Sequence, residues 1–431
     1  MNNLDRVEGV RPSLFESSDP ARLAALRPEW DELFQAGGGG NPFLSWEWQF
    51  TFWRTFARRR PLRLLEARDQ GGRLVGLLAL CARAALGSPR RWCLLGNGIA
   101  GADGLDVLAR PGFGAPVREA MAQALAAGLP AWDFLDLEDL PCGSATVAAL
   151  RSALRPRGVR VSLEPAYVCP GFALRGDFEG HLARFRRRET YQRRLRWLER
   201  QPGFRIEVAT TEEEAGPAME DLLRLHHLRW DAEGGSAGIP RGVVEEFHRE
   251  LAPLLARRRW LRLYRLFVAG RSVAAIYGLE LAGRFYYYQS GMDPSWATRS
   301  PGLVLLGKTV QDAYARRLTD YDFLRGTEPH KLDWASDRRE TCNLRLRAPG
   351  IRAEAGAAAE EVFRRARDAA RAIAPDGVWR RLQRVRRNVA VNAMARPERG
   401  AAPDVPPGRH GGRREELRPV SEVGRERGLE V

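Results

Sequence analysis

The chain has 431 residues, of which 44% are hydrophobic, and its formal net charge of +15 comes almost entirely from arginine. This length predicts two packed units with appendages rather than a single domain. No apolar run of about 20 residues occurs, so we do not expect a transmembrane helix. Residues 1–20 also lack the basic and then apolar order of a secretory signal. We therefore expect a cytoplasmic protein.

Cysteine usage agrees with a reducing compartment. The five cysteines are scattered and odd in number, and no CxxC pair occurs. This pattern predicts neither a disulfide framework nor a zinc site, and we expect no metal. The cysteines are Cys81, Cys93, Cys142, Cys169 and Cys342.

Lysine is rare, because the chain contains only Lys308 and Lys331. A GC-rich genome, which favours arginine codons, would explain the preference for arginine. Where lysine persists against that bias, the site can require a compact ammonium rather than any positive charge. We apply this hypothesis mainly to Lys331.

In the first half, apolar residues at helical spacing alternate with short apolar strands. The run of glycines at 37–40 ends the first helix, and Ser45 is suited to cap the second. The sequence predicts helices at 21–36 and from 45, strands at 62–67 and 74–82, a helix at 115–127, a strand at 132–137 and a helix at 144–155.

The second half repeats this order after a basic helix at 178–200, of which residues 181–200 hold eight arginines and two glutamates. Residues 353–395 are predicted to be helical and arginine-rich, and residues 396–431, rich in Pro, Gly and charge, to be disordered. Between these segments the sequence predicts helices at 212–230, 241–257 and 301–317 and strands at 260–268, 272–281, 284–291 and 320–325.

Two pairs of short segments indicate an internal duplication. Leu-Arg-Leu at 62–64 recurs at 261–263, an offset of 199 residues, and Trp-Asp-Phe-Leu at 132–135 is matched by Tyr-Asp-Phe-Leu at 321–324, an offset of 189. The same order of strand, turn, strand, loop, helix and buried strand lies between them. Chance similarity of short apolar strands is the alternative.

A helix start at 300–302 has the features of an anion site. Ser300 is placed to cap the helix, Pro301 takes its first position, and Gly302 allows a ligand close approach. Unpaired backbone N–H groups and the positive end of the helix dipole favour a pyrophosphate there, and Arg299 adds a charge. A well-capped structural helix is the alternative.

These segments together resemble a bacterial GNAT-type acyltransferase family associated with polysaccharide or cell-envelope biosynthesis. The resemblance rests on the motifs Ser-Pro-Gly at 300–302, Tyr-Asp-Phe-Leu at 321–324 and Gly-Thr-Glu-Pro-His-Lys at 326–331, preceded by NPFLSWEWQFTFWRTF from residue 41 and LHHLRW at 225–230. It spans roughly residues 10–348. The family is similar in fold to the Fem-type transferases, which also carry tandem GNAT units.

The resemblance implies an α/β (α+β) fold of two tandem GNAT-like mixed-sheet units joined by a basic helix. The expected domains are 1–160, 161–350 with the catalytic site, a basic helical extension at 351–395 and a disordered tail at 396–431.

It also implies an acyl-CoA co-substrate, with the thioester near 288–291 and the pyrophosphate near 299–303. The cofactor-binding candidates are Ser290, Arg299, Ser300, Gly302 and Leu303. The denser Gln/Arg-x-x-Gly-x-Gly/Ala phosphate loop of ordinary GNAT enzymes is missing from this sequence.

Direct acyl transfer needs a base for the nucleophile and a donor for the oxyanion. Glu328 and His227 are the candidate bases, and Lys331 and Tyr288 are candidate donors. The structural alternatives are that Glu328 and Lys331 only pair with each other, that His227 packs or caps a helix, and that Tyr288 is a core residue.

Candidates for acceptor binding come from both halves. Arg229 and Trp230 lie in the LHHLRW segment, and Asp103 and Asp106 lie in the glycine-rich loop 96–112 of the first half. A solvated turn is the alternative for that loop, and its spacing does not fit a calcium loop.

Three functions remain open from the sequence. The first is acyl transfer from acyl-CoA, most simply acetyl-CoA, to an amine or hydroxyl of a sugar or envelope precursor. The second is a Fem-like aminoacyl-tRNA-dependent transferase, and the third is a degenerate GNAT pair that only binds. The basic helix 178–200 could contact an anionic surface, including the inner membrane, whereas a specific nucleic acid is not expected.

Overall fold

The computed structural model describes residues 11–83, 89–129, 131–231 and 238–373. Its first half contains strands β1 (Ser13–Ser17), β2 (Leu62–Arg68), β3 (Leu74–Ala82), β4 (Arg91–Leu94), β5 (Leu108–Ala109) and β6 (Phe134–Pro141), and helices α1 (Pro20–Ala25), α2 (Arg27–Ala36), α3 (Trp46–Phe52), α4 (Gly114–Ala127) and α5 (Ala145–Leu154).

The second half follows the same plan. Its strands are β7 (Arg160–Ala173), β8 (Arg205–Ala209), β9 (Leu261–Val268), β10 (Arg271–Leu281), β11 (Arg284–Met292), β12 (Asp320–Asp322) and β13 (Asp337–Arg347), and its helices are α6 (Phe178–Arg184), α7 (Arg188–Glu199), α8 (Glu212–Asp231), α9 (Val243–Arg257), α10 (Pro301–Ala315), α11 (Pro329–Leu332) and α12 (Ile351–Ile373).

Within the described ranges, the strands form one mixed sheet in the order β1-β2-β3-β4-β6-β13-β7-β12-β11-β10-β9-β8, with β5 added on β3. The two ends of this order mirror each other. In each half the first pairs are antiparallel, and one parallel pair, β4 with β6 or β11 with β12, closes the unit. This arrangement confirms the duplication.

The central strands are exchanged between the halves. β13, from the end of the second half, lies between β6 of the first half and β7, while β7 pairs on its other edge with β12. The sheet is therefore continuous through both halves, and the predicted boundary between 160 and 161 falls at the first residue of the strand that joins them.

The two halves also share a core on one face of the sheet. Phe247 of α9 contacts Trp48 of α3 edge-on, with ring centroids 5.1 Å apart, and packs against Phe56 at 5.4 Å. The opposite face of the second half is covered by α6, α7 and α10, where Tyr191 and Val310 are buried. Helices on both faces give the second-half sheet its two apolar surfaces.

Three expectations about helix and strand boundaries need correction. The helix predicted at 21–36 is divided into α1 and α2 around Leu26, ahead of Pro28. The basic helix predicted at 178–200 is two helices, because Phe185 takes an extended backbone conformation and stacks its buried ring on Trp334 at 3.9 Å. The predicted strand at 320–325 ends at Asp322.

The expectation of no disulfide was wrong. Cys142, just after β6, is bonded to Cys342 of β13 across a sequence separation of 200 residues. The two strands are neighbours in the sheet, which brings the two sulfurs together although the spacing in sequence gives no sign of it. The bond joins the first half covalently to the last strand of the second.

The predicted helical extension is partly described, as α12 over Ile351–Ile373. The remainder of the predicted segment, 374–395, and the tail predicted at 396–431 lie outside the described residues. Among the helices of the described ranges, none has the length and apolar character needed to cross a membrane.

Candidate functional site

The parallel strands β11 and β12 diverge, and the gap between them is called the cleft below. The strands are paired over only three positions, from Arg284 with Asp320 to Tyr286 with Asp322, and β11 then continues to Met292 paired with β10 but not with β12. On its other edge β11 carries a bulge, because Tyr287 and Gln289 oppose consecutive residues of β10 and Tyr288 is left over. The bulge lies where the strands separate.

Helix α8 lies directly over this part of β11. A Cβ added at Gly291 would lie 2.4 Å from the backbone nitrogen of His226, so only glycine fits there. The ring nitrogen Nδ1 of His226 is 2.9 Å from the carbonyl oxygen of Ser290. These contacts close one side of the cleft and fix the end of the strand.

The start of α10 lies just beyond β11. Ser300 has a left-handed backbone (φ 53°) and Pro301 opens the helix, but the Ser300 side chain makes no cap hydrogen bond. The first-turn amides therefore lack a side-chain acceptor, unlike those of α5 or α6. Gly302 is half-buried, with the Met292 sulfur 3.5 Å from where a Cβ would be.

The other cofactor candidates lie around this helix start. Arg299 is exposed and its guanidinium lies 4.2 Å from the ring centre of Trp197 on α7, whereas Leu303 is half-buried. Ser290 lies on β11. Ser290, Arg299, Ser300, Gly302 and Leu303 thus follow one another from the end of β11 into α10, as the sequence predicted for a donor-binding segment.

Two of the three consecutive tyrosines of β11 donate hydrogen bonds to the first half. The hydroxyl of Tyr288 donates to the carbonyl of Ala100 in the first half and lies 3.3 Å from Nε2 of His248. Burial raises the pKa of Tyr288 well above its usual value. Tyr286 donates to the carbonyl of Gly40. Tyr288 thus forms a contact between the two halves, which supports the alternative that it is a core residue rather than a catalytic one.

Lys331 and Glu328 lie on the loop and short helix α11 that follow β12. The ammonium of Lys331 donates to the carbonyl oxygen of Arg325 at 2.6 Å and lies 3.1 Å from Oε2 of Glu328. Lys331 is buried, while the Glu328 side chain is 51% exposed. Burial, the largest single influence, raises the pKa of Glu328, but the charge of Lys331 and hydrogen bonds to the carboxylate together hold the pKa below its ordinary value.

An ion-pair cluster missed by the sequence analysis lies beside Lys331. Arg325 bonds to Asp103 through both its side chain and its backbone N–H, and to Asp139 at 3.0 Å. Burial raises the pKa of Asp139 to about 6, with added repulsion from Asp103 and Glu138 and opposition from Arg325. No motif marks Asp139, which lies 186 residues from Arg325.

The glycine-rich loop gives its two aspartates different surroundings. Asp103 is buried against Arg325, and burial raises its pKa. Asp106 accepts hydrogen bonds from the hydroxyls of Ser144 and Thr146 at the start of α5. Asp106 thereby joins the loop to α5, and neither carboxylate is directed to solvent as a free acceptor-binding group.

The histidines of α8 face in opposite directions. His227 Nε2 lies 2.6 Å from Oε1 of Glu245 on α9, at a pocket of about 290 Å³ between the two helices, while His226 faces β11. Arg229 stacks on Trp230 at 4.9 Å, and its charge contributes to lowering the pKa of His330, which is chiefly due to burial. Arg229 is therefore close enough to the Lys331 loop to act electrostatically on His330.

No group of three or more metal-ligating side chains occurs among the residues that the structure describes. The site is thus composed of a splayed and bulged strand, an uncapped helix start, an ammonium, a carboxylate and a buried arginine cluster. The order of strands around this site, repeated in outline in the first half, is that of a tandem GNAT fold.

Comparisons with known proteins give the same class. Residues 185–332 match the Acetyltransferase (GNAT) domain. The solved structure of FemX is 11% identical, with a TM-score of 0.51 and coverage of 74% of this chain and 95% of FemX. At this identity the likeness concerns the fold alone, so the chain contains a match to a GNAT domain within a fold like that of FemX.

Two other solved structures have lower TM-scores. A tandem GNAT protein from the clavulanic acid biosynthesis pathway is 17% identical, covering 78% of this chain and 100% of that one, with a TM-score of 0.41. The C-terminal domain of a putative lysylphosphatidylglycerol synthetase from Agrobacterium fabrum is 10% identical, covering 79% and 96%, with a TM-score of 0.46. No curated protein matches the sequence.

Proposed function

We propose that the protein transfers an acyl group, most simply acetyl, from acyl-CoA to an amine or hydroxyl of a sugar or envelope precursor. One observation carries this proposal: the start of α10, which has no side-chain cap, follows after one short 3₁₀ turn on the strand that bulges and separates from its parallel neighbour. The positive end of the helix dipole and the amide of Gly302 attract a pyrophosphate, and a widened strand gap admits the pantetheine arm beside it.

The donor would be held along β11 and α10. Its pyrophosphate accepts a hydrogen bond from the first-turn amide of Gly302, with Arg299 as a nearby charge, while the Leu303 amide donates to the Ser300 carbonyl. Its thioester then lies along β11 near Ser290. The Met292 side chain, which contacts the position of Gly302, forms part of the apolar wall.

In the reaction, the lone pair of the acceptor attacks the thioester carbon, the carbon–sulfur bond breaks and CoA leaves as a thiolate. Glu328, ionised at neutral pH because its pKa is lowered, takes the proton of the acceptor and passes it to the thiolate. Lys331 stabilises the negative charge that develops on the carbonyl oxygen. Arg229 and Trp230 are assigned to the acceptor, since Arg229 lies near His330.

His227 has a weaker case as a base, because its ring is paired with Glu245 at the α8–α9 pocket. It remains a prediction, as do acceptor roles for Asp103 and Asp106. Acyl-CoA is a cytoplasmic metabolite, and we place the protein in that compartment, with any inner-membrane contact made through the arginines of α6 and α7.

Calorimetry with acetyl-CoA and longer acyl-CoAs tests the donor site. Micromolar binding that is lost in Gly302→Phe supports the proposal, because the phenyl group would fill the space beside Met292 and block the first turn. The matched control is Gly216→Phe, an exposed glycine on α8 with nothing within 4 Å of an added Cβ. Binding that survives Gly302→Phe would exclude this helix start as the donor site.

The surface of α6 and α7 favours a second candidate, a Fem-like transferase that takes its group from aminoacyl-tRNA. Six arginines are exposed on or beside these helices and make no ion pair with any residue that the structure describes; they are Arg184, Arg186, Arg188, Arg193, Arg196 and Arg200. α7 packs against α10, so this surface adjoins the donor site. It carries none of the exposed large hydrophobic residues of the described chain, so any membrane contact here would be electrostatic, without an inserted apolar side chain.

Binding of charged tRNA separates the two candidates. A tRNA donor predicts an affinity that falls steeply with salt and a weak or absent response to acyl-CoA. Removing two of the arginines, as in Arg193→Gln with Arg200→Gln, would then reduce tRNA binding several-fold. A protein that binds neither donor would support the third possibility, a non-catalytic GNAT pair.

A further inference from the structure

Arg325 connects the two halves at the candidate site. It follows β12 in the second half, yet its guanidinium bonds to Asp103, to the Ala102 carbonyl and to Asp139, all in the first half. The Arg325 side chain is 24% exposed and those of Asp103 and Asp139 only 6% and 5%, so the charges are shielded from water. A pair buried in this way is far more directional than an exposed one.

The backbone of Arg325 extends this contact to Lys331. Its N–H donates to Oδ2 of Asp103 at 2.8 Å, while its carbonyl accepts from the Lys331 ammonium at 2.6 Å. The N–H groups of Arg325 therefore donate to carboxylates of the first half, while its carbonyl oxygen accepts from the lysine. A shift of the Arg325 backbone moves the partner of the ammonium by the same distance.

The lysine needs such a partner because its four-carbon stem is flexible. Of its three N–H donors, one is used by Arg325 and one by Glu328 among the described residues. One donor remains to face a reacting oxygen. Its direction is fixed only while the other two bonds hold, and the Glu328 side chain, half exposed, cannot fix it alone.

We propose that Arg325, Asp103 and Asp139 form a positioning cluster by which the first half orients the ammonium of Lys331 for acyl transfer. In this role the cluster acts through the Arg325 carbonyl and not through contact with the reacting atoms. This role rests on the proposed function of Lys331, although the orientation itself can be measured without any reaction.

The rarity of lysine makes a direct measurement possible. With ¹³C,¹⁵N-labelled lysine, the side-chain NMR spectrum holds signals from Lys331 and Lys308 alone, and Lys308, with Glu199 3.8 Å away, serves as an internal reference. In Asp139→Asn, and separately in Asp103→Asn, we expect the Lys331 Cε and Nζ signals to move and broaden while those of Lys308 stay in place.

Kinetics supply the second measurement. We expect kcat to fall at least tenfold in both variants, with KM for the donor unchanged. The control is Asp133→Asn, which removes another buried carboxylate of the first half that is paired with an arginine, Arg90, at the opposite end of β6. It should lower the thermal midpoint similarly but leave the Lys331 signals and kcat as in the wild type.

Unchanged Lys331 signals in Asp139→Asn, or equal changes in Asp133→Asn, would overturn the proposal. If Asp103→Asn fails to fold, Asp139→Asn decides. A wild-type protein without turnover would refute the proposed function instead, and the NMR comparison would still test the positioning role.

Discussion

Replacing Lys331 by Met removes the ammonium and keeps most of the buried stem. If Lys331 stabilises the oxyanion, turnover should fall about 10²–10³-fold, equivalent to roughly 2.7–4 kcal/mol. Stability should fall much less, since the change removes one charge-assisted hydrogen bond to Arg325, worth about 2 kcal/mol, and a half-exposed ion pair with Glu328 that contributes at most ~1 kcal/mol.

These magnitudes separate chemistry from folding. A loss of about 2–3 kcal/mol lowers the thermal midpoint of a chain of this size by roughly 3–4 °C and leaves a protein with about 5–15 kcal/mol of stability folded at 25 °C. Initial rates of thiol release and a circular dichroism melt measure the two effects on the same sample, with Lys308→Met as control. Wild-type turnover in Lys331→Met would refute the role assigned to the ammonium, as would a rate loss matched by loss of folded protein.

Three shorter predictions concern the surroundings of the site. Gly291→Ala should destabilise the protein by about 3 kcal/mol or more in chemical denaturation, because the new methyl meets the α8 backbone rather than a side chain that can move. The pKa of Asp139 is raised to about 6 in the fold, so the stability that its protonated form contributes is complete below about pH 4 and is lost as the pH rises through 6. Turnover should change in the opposite direction and fall below pH 6, because a protonated Asp139 carboxyl no longer holds Arg325. This loss of turnover at acid pH should be absent in Asp139→Asn. Finally, thiol titration of the denatured, unreduced protein should find three free thiols, because Cys142 and Cys342 are bonded to each other. A count of five free thiols would mean that these two cysteines are reduced, as is usual in the cytoplasm.

Local sequence patterns were enough for the elements that each half builds for itself. The hairpin of β2 and β3, the strands β9 to β11 and the helices α8 to α10 begin and end within a few residues of prediction, because their apolar spacing is set by the surface they bury. The pairing of Glu328 with Lys331 also follows from their separation of three residues.

The contacts that join the halves could not be predicted in this way. β13 has the sequence DRRETCNLRLR, whose charged start gives no strand signal, and its partners β6 and β7 lie far away along the chain. The same holds for the disulfide and for Asp139, which reaches Arg325 from a backbone with a positive φ of 59°. Such contacts depend on the exchange of strands, which is a property of the whole sheet.

That exchange has a consequence for the predicted boundary at residue 160. In a fragment of residues 161–350, β13 would lose its pairing with β6 and expose an unpaired edge, Cys342 would lose its bonding partner, and Arg325 would be left without either carboxylate. Removing the partners of one buried charge typically costs about 3–5 kcal/mol, comparable with the whole stability of a small domain. We therefore expect the fragment to aggregate or to remain unfolded by circular dichroism, and to regain structure and donor binding when produced together with residues 1–160. A soluble, monomeric fragment that binds the donor as the full chain does would mean that the second half folds on its own, and that the first half contributes neither its sheet edge nor its carboxylates to the site.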